Sequence, residues 1–157
     1  MNTFRITGLD PEQFSNLFGK SDEELAAMGA RRCVVDQTPG YPDRIEMRDL
    51  DVGEKALLVN YAHLDHADSP YRSSHAVYVR EGATAAYDQT GEIPEVLRRR
   101  LLSVRAFDKK AMMVAADVID GSTLRDWITS TFDNDAVDFI DLHNAKPGCF
   151  AGRVRRA

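Results

Sequence analysis

Short apolar runs of strand length, separated by turn-forming residues, limit the fold of this sequence more than any other feature. Only one stretch, Leu124–Phe132, places apolar residues at a sustained helical spacing. Consecutive strands with helices set apart from them predict an α+β domain, in which a mainly antiparallel β-sheet carries a few short helices packed on one side. The predicted strands are residues 4–7, 31–36, 44–48, 56–59, 76–80, 103–107, 112–119, 137–142 and 150–154.

Capping patterns predict further short helices. Asp10 precedes Pro11, and Ser21 stands three residues before Glu24, so each can begin a helix by accepting hydrogen bonds from free backbone amides. Another short helix is predicted between residues 93 and 101. Its arginine run at residues 98–100 is interpreted as a solvated helix end that complements the helix dipole. Trp127 lies on the apolar stripe of the last helix and is predicted to be a core residue.

Length, composition and charge favour one globular domain over residues 1–157. Hydrophobic residues make up 43% of the chain and charged residues 29%, which is ordinary for a globular protein. The formal net charge of -5 argues against nucleic acid as a partner. No apolar run is long enough to cross a membrane, and the first residues do not form a signal peptide, so we expect a cytoplasmic protein without a membrane partner. Nothing in the sequence calls for a cofactor.

The polar stretch from Asn60 to His75 holds three of the four histidines and lies between two apolar runs. We interpret it as a long loop held at both ends by core strands, a place where function is common. The candidate ligand-binding residues in it are Asn60, His63, Tyr71 and Arg72. A metal site is an alternative, because imidazole and carboxylate groups bind first-row metals; its candidates are His63, His66 and Asp68, with Asp65 and His75 as possible partners. The spacing is not that of a known metal motif, and an ordinary solvated loop is the favoured interpretation.

A second candidate segment runs from Asp141 to Arg153. His143, Asn144 and Cys149 are the residue types of a thiol site, so His143 and Cys149 are candidate catalytic residues, although no helix N-terminus is predicted at Cys149. Small cysteines next to glycine are more often simply packed. His143, Asn144 and Arg153 are also candidate ligand-binding residues. Cys33, inside an apolar run, is predicted to be a core residue, and both thiols are expected to be free.

Four segments of the chain resemble a known family: residues 53–61, 69–74, 102–108 and 143–154. Their order and spacing are similar to a bacterial family catalogued as domain of unknown function 1203. The resemblance implies a bacterial, free-standing, single-domain protein, and it supplies no catalytic roles. Relatives often have Pro-Cys-Arg where this chain has Pro42, Asp43 and Arg44. If that thiol works with the one matching Cys149, this chain has lost or altered the feature.

Three functional hypotheses remain open. The first is a domain that binds, and can act on, a small polar or anionic molecule between the 60–75 and 143–153 segments, with Arg72 and Arg153 holding a carboxylate or phosphate. The second is a non-catalytic interaction module or homodimer. The third is a metal-dependent, hydrolase-like enzyme.

Overall fold

The computed structural model describes residues 3–157. The strands are β1 (Phe4–Thr7), β2 (Arg31–Val34), β3 (Pro42–Asp43), β4 (Arg48–Asp49), β5 (Lys55–Leu64), β6 (Ser73–Arg80), β7 (Asp88–Thr90), β8 (Leu101–Phe107), β9 (Met113–Asp120), β10 (Phe139–Asn144) and β11 (Phe150–Arg156). The helices are α1 (Asp22–Ala27), α2 (Glu95–Arg98) and α3 (Leu124–Thr131), with 3-10 turns at Pro11–Phe14 and Gly121–Thr123.

The strands form two sheets. The first contains six antiparallel strands in the order β7-β1-β11-β10-β8-β9. The second contains five strands in the order β2-β5-β6-β3-β4, and only its β3–β6 pair is parallel. The predicted α+β class, mainly antiparallel with a few short helices, is therefore confirmed.

The larger core cluster lies between the six-stranded sheet and the last two helices. Leu97 of α2 and Ile128 of α3 are fully or almost fully buried in the same cluster as Ile140 and Leu142 of β10. Because side chains alternate along a strand, Asp141 and His143 of β10 point to the opposite face of that sheet. That opposite face meets the five-stranded sheet, since Phe150 of β11 shares a second cluster with Leu57, Val59, Val77 and Val79 of β5 and β6.

Capping chemistry sets the N-terminal helices as predicted. Ser21 and Glu24 form a reciprocal capping box at the start of α1. The Asp10 side chain accepts from the Glu12 amide, but the turn that it begins is a 3-10 helix and does not continue as an α-helix. Gly19 and Gly29, which follow these two segments, both have left-handed φ values, of 75° each.

Residues 44–48 were predicted to form a strand, and that prediction is wrong. Residues 44–47 form a turn between β3 and β4. The buried Asp43 carboxylate accepts from the Ile45 and Glu46 amides and from the Arg80 amide of β6, so it satisfies donors that a strand would give to a neighbour. Met47 adopts a left-handed φ of 55°.

The prediction of a long polar loop across residues 60–75 is also wrong. β5 continues to Leu64 and β6 begins at Ser73, so residues 65–72 alone connect the two strands. On these strands His63 is buried and His75 is half-buried between the sheets, which polarity along the sequence does not reveal.

Smaller differences concern single residues. Cys33 is half-buried on the edge strand β2 and is not a core residue, because an edge strand is covered on fewer sides. The helix predicted across residues 93–101 is confined to α2, and Leu101 already belongs to β8. Trp127 is partly buried and packs against the core cluster. Across residues 3–157, no helix is long and apolar enough to cross a membrane.

Candidate functional site

Three histidines from three strands meet between the two sheets. The rings of His63 on β5 and His75 on β6 are stacked, with centroids 4.7 Å apart and planes within 5° of parallel. The His143 ring on β10 stands edge-on to both, at 4.9 Å and 5.2 Å. One nitrogen from each of the three rings lies within 4.8 Å of the others. We call this group the histidine cluster.

Hydrogen bonds fix the ring orientations in the histidine cluster. The Gly148 carbonyl lies 3.0 Å from His143 Nδ1, and because a carbonyl only accepts, Nδ1 carries the proton. His63 Nε2 lies 2.9 Å from Ser73 Oγ. Three buried nitrogens in the cluster have no hydrogen-bond partner within 3.5 Å: His75 Nδ1, His143 Nε2, and His63 Nδ1, which lies 3.6 Å from Asp141 Oδ2.

Burial favours the neutral forms of His143 and His75. The pKa of His143 is lowered to about 4: burial is the largest cause, Arg105 and His63 act in the same direction, and the Gly148 carbonyl opposes them. Burial also lowers the pKa of His75, with His63 and Arg105 acting in the same direction. Two stacked, parallel rings cannot direct lone pairs at one point, so a shared metal ion would require one ring to rotate.

A buried ion pair lies beside the cluster. Arg153 donates from Nε and Nη2 to the two carboxylate oxygens of Asp141, at 2.6 Å and 2.9 Å, and also from Nη2 to the His63 carbonyl at 2.7 Å. Burial alone would raise the pKa of Asp141, but its contacts with His63 and Arg153 hold that pKa below the usual range. The Arg153 guanidinium, a candidate ligand-binding group, is therefore used by the protein's own carboxylate.

A cavity of about 640 Å³ adjoins the cluster and shares His75 with it. Its wall is built from the turn before β4, the middle of β5 and β6, the segment after α2, and the connection between β10 and β11. The lining residues are Gly40, Pro42, Arg44, Leu58, His75, Ala76, Tyr78, Arg99, Arg100, Leu101, Asn144, Ala145, Lys146, Pro147 and Cys149.

The charge on this wall is of one sign. Four cationic side chains line the cavity, and no acidic residue does so among those that the structure describes. Arg99 and Arg100 both pair with the carboxylate of Asp49, with nitrogen–oxygen distances of 3.3 Å and 2.5 Å, and Arg99 also pairs with Glu95 at 3.7 Å. Lys146 is exposed and forms no ion pair within residues 3–157. A cationic wall in a chain of formal net charge -5 is a local concentration of positive charge.

Arg44 and Cys149 meet at the wall of the cavity. Arg44 is 2% exposed, and its Nη2 lies 3.0 Å from Cys149 Sγ. Its other nitrogens donate to two backbone carbonyls, those of Phe150 and Pro42, at 2.8 Å and 2.6 Å. Burial lowers the pKa of Arg44, and the contact with Cys149 acts in the opposite direction.

Asn144 also lines the cavity. Its Nδ2 lies 3.7 Å from Cys149 Sγ, whereas its Oδ1 is buried without a partner.

The predicted site residues are only partly brought together. Asn144 and Cys149 line the cavity, and His63 and His143 belong to the adjoining histidine cluster. Three others lie elsewhere: Asn60 is exposed on β5, Tyr71 packs edge-on against Phe107, and Arg72 pairs with Asp65. His66 and Asp68, the other metal candidates, are exposed in the connection between β5 and β6 and are not part of the cluster.

Sequence reasoning missed most of the cationic wall. The arginine run was interpreted as a solvated helix end, but α2 stops at Arg98, and the next two arginines turn toward Asp49 at the cavity. Their signal was a run of three cations at the end of a short predicted helix. Arg44 gave no separate signal, because its burial depends on packing against β11, more than 100 residues further along the chain.

Comparison with known proteins gives one match. A family model described as "Protein of unknown function (DUF1203)" matches residues 40–156. The matched region contains every residue that lines the cavity and all three members of the histidine cluster. No curated protein and no solved structure matches the chain significantly.

Proposed function

The chain belongs to the DUF1203 family, whose description names no activity, and from the cavity we propose that the protein binds a small anionic organic molecule there. The observation that carries the proposal is the composition of the wall: four cations and no acidic residue among the described part of the chain, around about 640 Å³. This volume is typical of small-molecule sites, which commonly hold 300 to 1,000 Å³.

The cavity wall has a cationic part and an apolar part, so the expected ligand has two matching parts. Lys146, Arg99 and Arg100 suit a carboxylate or phosphate group, because ammonium and guanidinium groups form charge-assisted hydrogen bonds with these anions. Leu58, Tyr78 and Pro147 suit an apolar or aromatic body. The ligand class that fits both halves is an organic acid or organic phosphate with an apolar portion. An inorganic anion alone would leave the apolar surface unused.

Thermal shift measurements with pairs of ligands test this proposal. Each pair contains an organic acid and its uncharged amide, so that only the charge differs. At a ligand concentration about 100 times the dissociation constant, binding adds about 2.7 kcal/mol to the free energy of unfolding, which corresponds to a rise in Tm of roughly 5 to 10 °C for a chain of this size. We expect at least one acid to give such a rise and its amide to give much less.

Two charge-reversal variants separate the cavity from the general surface. Lys146→Glu places a carboxylate at the cavity wall and should abolish the ligand-dependent rise. Lys109→Glu makes the same change on an exposed lysine in the turn between β8 and β9, outside the cavity, and should leave the rise intact. Equal effects of the two variants, or equal shifts with acid and amide, would overturn the proposal.

We also propose that the protein works in a reducing compartment such as the cytoplasm. Both cysteines are free, and Cys149 shares the cavity wall with the proposed anion-binding groups, where oxidation would change the site. Mass spectrometry of the protein isolated with its thiols blocked at lysis should find Cys33 and Cys149 reduced. A disulfide between them would contradict this localisation.

A further inference from the structure

We propose that Cys149 is a nucleophile, and that the anionic molecule bound in the cavity carries an electrophilic carbon to which its sulfur forms a bond. This inference rests on the proposed function, because the cationic wall would hold the anionic part of the same molecule. It goes further by naming the reacting atom and the chemical class of the substrate.

Arg44 carries a buried positive charge that lies against Cys149. A buried guanidinium ordinarily has an anionic partner, because an unpaired buried charge costs several kcal/mol. Arg44 forms no salt bridge with any carboxylate that the structure describes, and its hydrogen bonds go to two neutral carbonyls and to Cys149 Sγ. The sulfur is the only one of these acceptors that can become an anion. The positive charge of Arg44 therefore faces the sulfur and stabilises negative charge that develops there during attack on a carbon.

The neighbouring carboxylate does not replace the sulfur in this role. Asp43 is adjacent in sequence, but its oxygens accept from the backbone amides of Ile45, Glu46 and Arg80. Burial raises the pKa of Asp43, which weakens it as a counter-ion. The contact of 3.0 Å from Arg44 Nη2 to Sγ is therefore the direct charge-bearing contact of the guanidinium.

The Asn144 side chain gives separate evidence for a ligand in the cavity. Asn144 is 6% exposed and lines the cavity, and its Oδ1 has no hydrogen-bond partner. A buried acceptor left without a hydrogen bond destabilises the folded state. An N–H or O–H group of a bound molecule would satisfy it beside the sulfur, since Asn144 Nδ2 is 3.7 Å from Sγ. The same side chain would thus fix the reacting part of the molecule.

The proposed step needs no oxidant. The Cys149 thiolate attacks a carbon that carries a leaving group; the sulfur–carbon bond forms, the bond to the leaving group breaks, and the leaving group departs with the electron pair. The thiol proton leaves to solvent before the attack, and the positive charge of Arg44, 3.0 Å from Sγ, stabilises the negative charge that remains on the sulfur. Arg44 acts through Cys149 and is a positioning residue.

The test uses two alkylating reagents of nearly equal size, neutral iodoacetamide and anionic iodoacetate. In both, the sulfur–carbon bond replaces the carbon–iodine bond and iodide leaves. Cys33→Ser leaves Cys149 as the reacting thiol, and Cys149→Ser leaves Cys33, which has a similar half-buried exposure, as the matched reference. An ordinary thiol is only a few per cent ionised at pH 7, so we expect Cys149 to react at least about tenfold faster than Cys33 with iodoacetamide. An equal or slower rate would overturn the nucleophile.

The ratio of the two reagents separates this inference from the proposed function. If the cavity also attracts anions, the ratio of the iodoacetate rate to the iodoacetamide rate will be higher for Cys149 than for Cys33, and Lys146→Glu will lower it. A fast reaction with iodoacetamide but an equal ratio for the two thiols would support the nucleophile and count against the anionic ligand. A raised ratio together with a slow iodoacetamide reaction would support the anionic ligand and count against the nucleophile.

Arg44 variants test its positioning role. Arg44→Met should remove the thiolate ultraviolet absorbance that is lost in Cys149→Ser, whereas Arg44→Lys should retain part of it. A purely structural role would leave the absorbance of a folded Arg44→Met variant unchanged, and that result would overturn the role of Arg44. If circular dichroism shows that Arg44→Met is unfolded, the comparison of Cys149 with Cys33 decides the question.

Discussion

Lowering the pH should destabilise the protein because the buried His143 side chain disfavours a proton in the folded state. In the folded state the pKa of His143 is about 4, whereas an unfolded histidine has a pKa of about 6.5. Above pH 6.5 neither state is protonated, so the full stability is present. As the pH falls from 6.5 toward 4, His143 binds a proton in the unfolded state but not in the folded state, so the free energy of unfolding decreases.

The two pKa values set the size of the effect. At pH 5 the difference amounts to a loss of about 2 kcal/mol from His143 alone, and below pH 4 it approaches about 3 kcal/mol. The His143 side chain is fully buried, so solvent screening does not reduce this figure. His75 acts in the same direction, because its pKa is also lowered by burial.

Urea unfolding between pH 7.5 and 4.5, in buffers that contain EDTA, measures this loss. We expect His143→Gln to be less stable at pH 7, because glutamine does not reproduce the ring contacts, but to lose about 2 kcal/mol less than the wild type on going to pH 5. His66→Gln, which changes the exposed histidine outside the cluster, should keep the wild-type pH dependence. The reasoning fails if His143→Gln and the wild type lose stability in parallel.

Three other predictions concern stability. Arg48 lowers the pKa of Glu54 to about 2, so the stability from this pair is present above pH 4.5 and is lost as the pH falls toward 2. In thermal melts, Glu54→Gln should be less stable than the wild type by about 1 kcal/mol at pH 7, and this difference should disappear at pH 2. A β-carbon at Gly121 would lie 2.0 Å from a backbone oxygen of α2, so Gly121→Ala should lower the Tm by several degrees, and an unchanged Tm would refute the contact. Asp141→Asn breaks the ion pair with Arg153 and should lower the free energy of unfolding in urea by about 3 kcal/mol. Asp138→Asn, at the exposed pair with Arg155, should lower it by less than about 1 kcal/mol. Similar losses for the two variants would contradict the role of burial.

Local chemistry made much of the fold predictable from the sequence. The alternation of Phe4 and Ile6 marks β1, and the helical spacing from Leu124 onward marks α3. The Ser21 capping box depends on residues only three positions apart, and it forms as predicted. These features need no knowledge of distant partners.

Features that depend on distant partners were not predictable. His63 and His75 belong to strands because β10 supplies His143 and Asp141 opposite them, and that meeting is decided by tertiary packing. Polarity along the chain therefore indicated a loop where the structure has a hairpin with a shorter connection. The same reason explains the turn at residues 44–47, which is held by bonds to β6 and β11.

The candidate site was predictable in part. Asn144 and Cys149 were found from residue type alone, since amide and thiol side chains close together suggest chemistry. The cations that give the cavity its charge come from separate segments, and only the fold brings Arg44, Arg100 and Lys146 to one wall.

Protection of Cys149 from alkylation tests the central claim most directly, because it asks whether an anion occupies the cavity that this thiol lines. The rate of iodoacetamide labelling is measured in Cys33→Ser with and without the organic acid that gives the largest thermal shift. The account predicts that a saturating concentration slows labelling of Cys149 and leaves labelling of Cys33 in Cys149→Ser unchanged. An unchanged rate at Cys149 under saturating acid would contradict it.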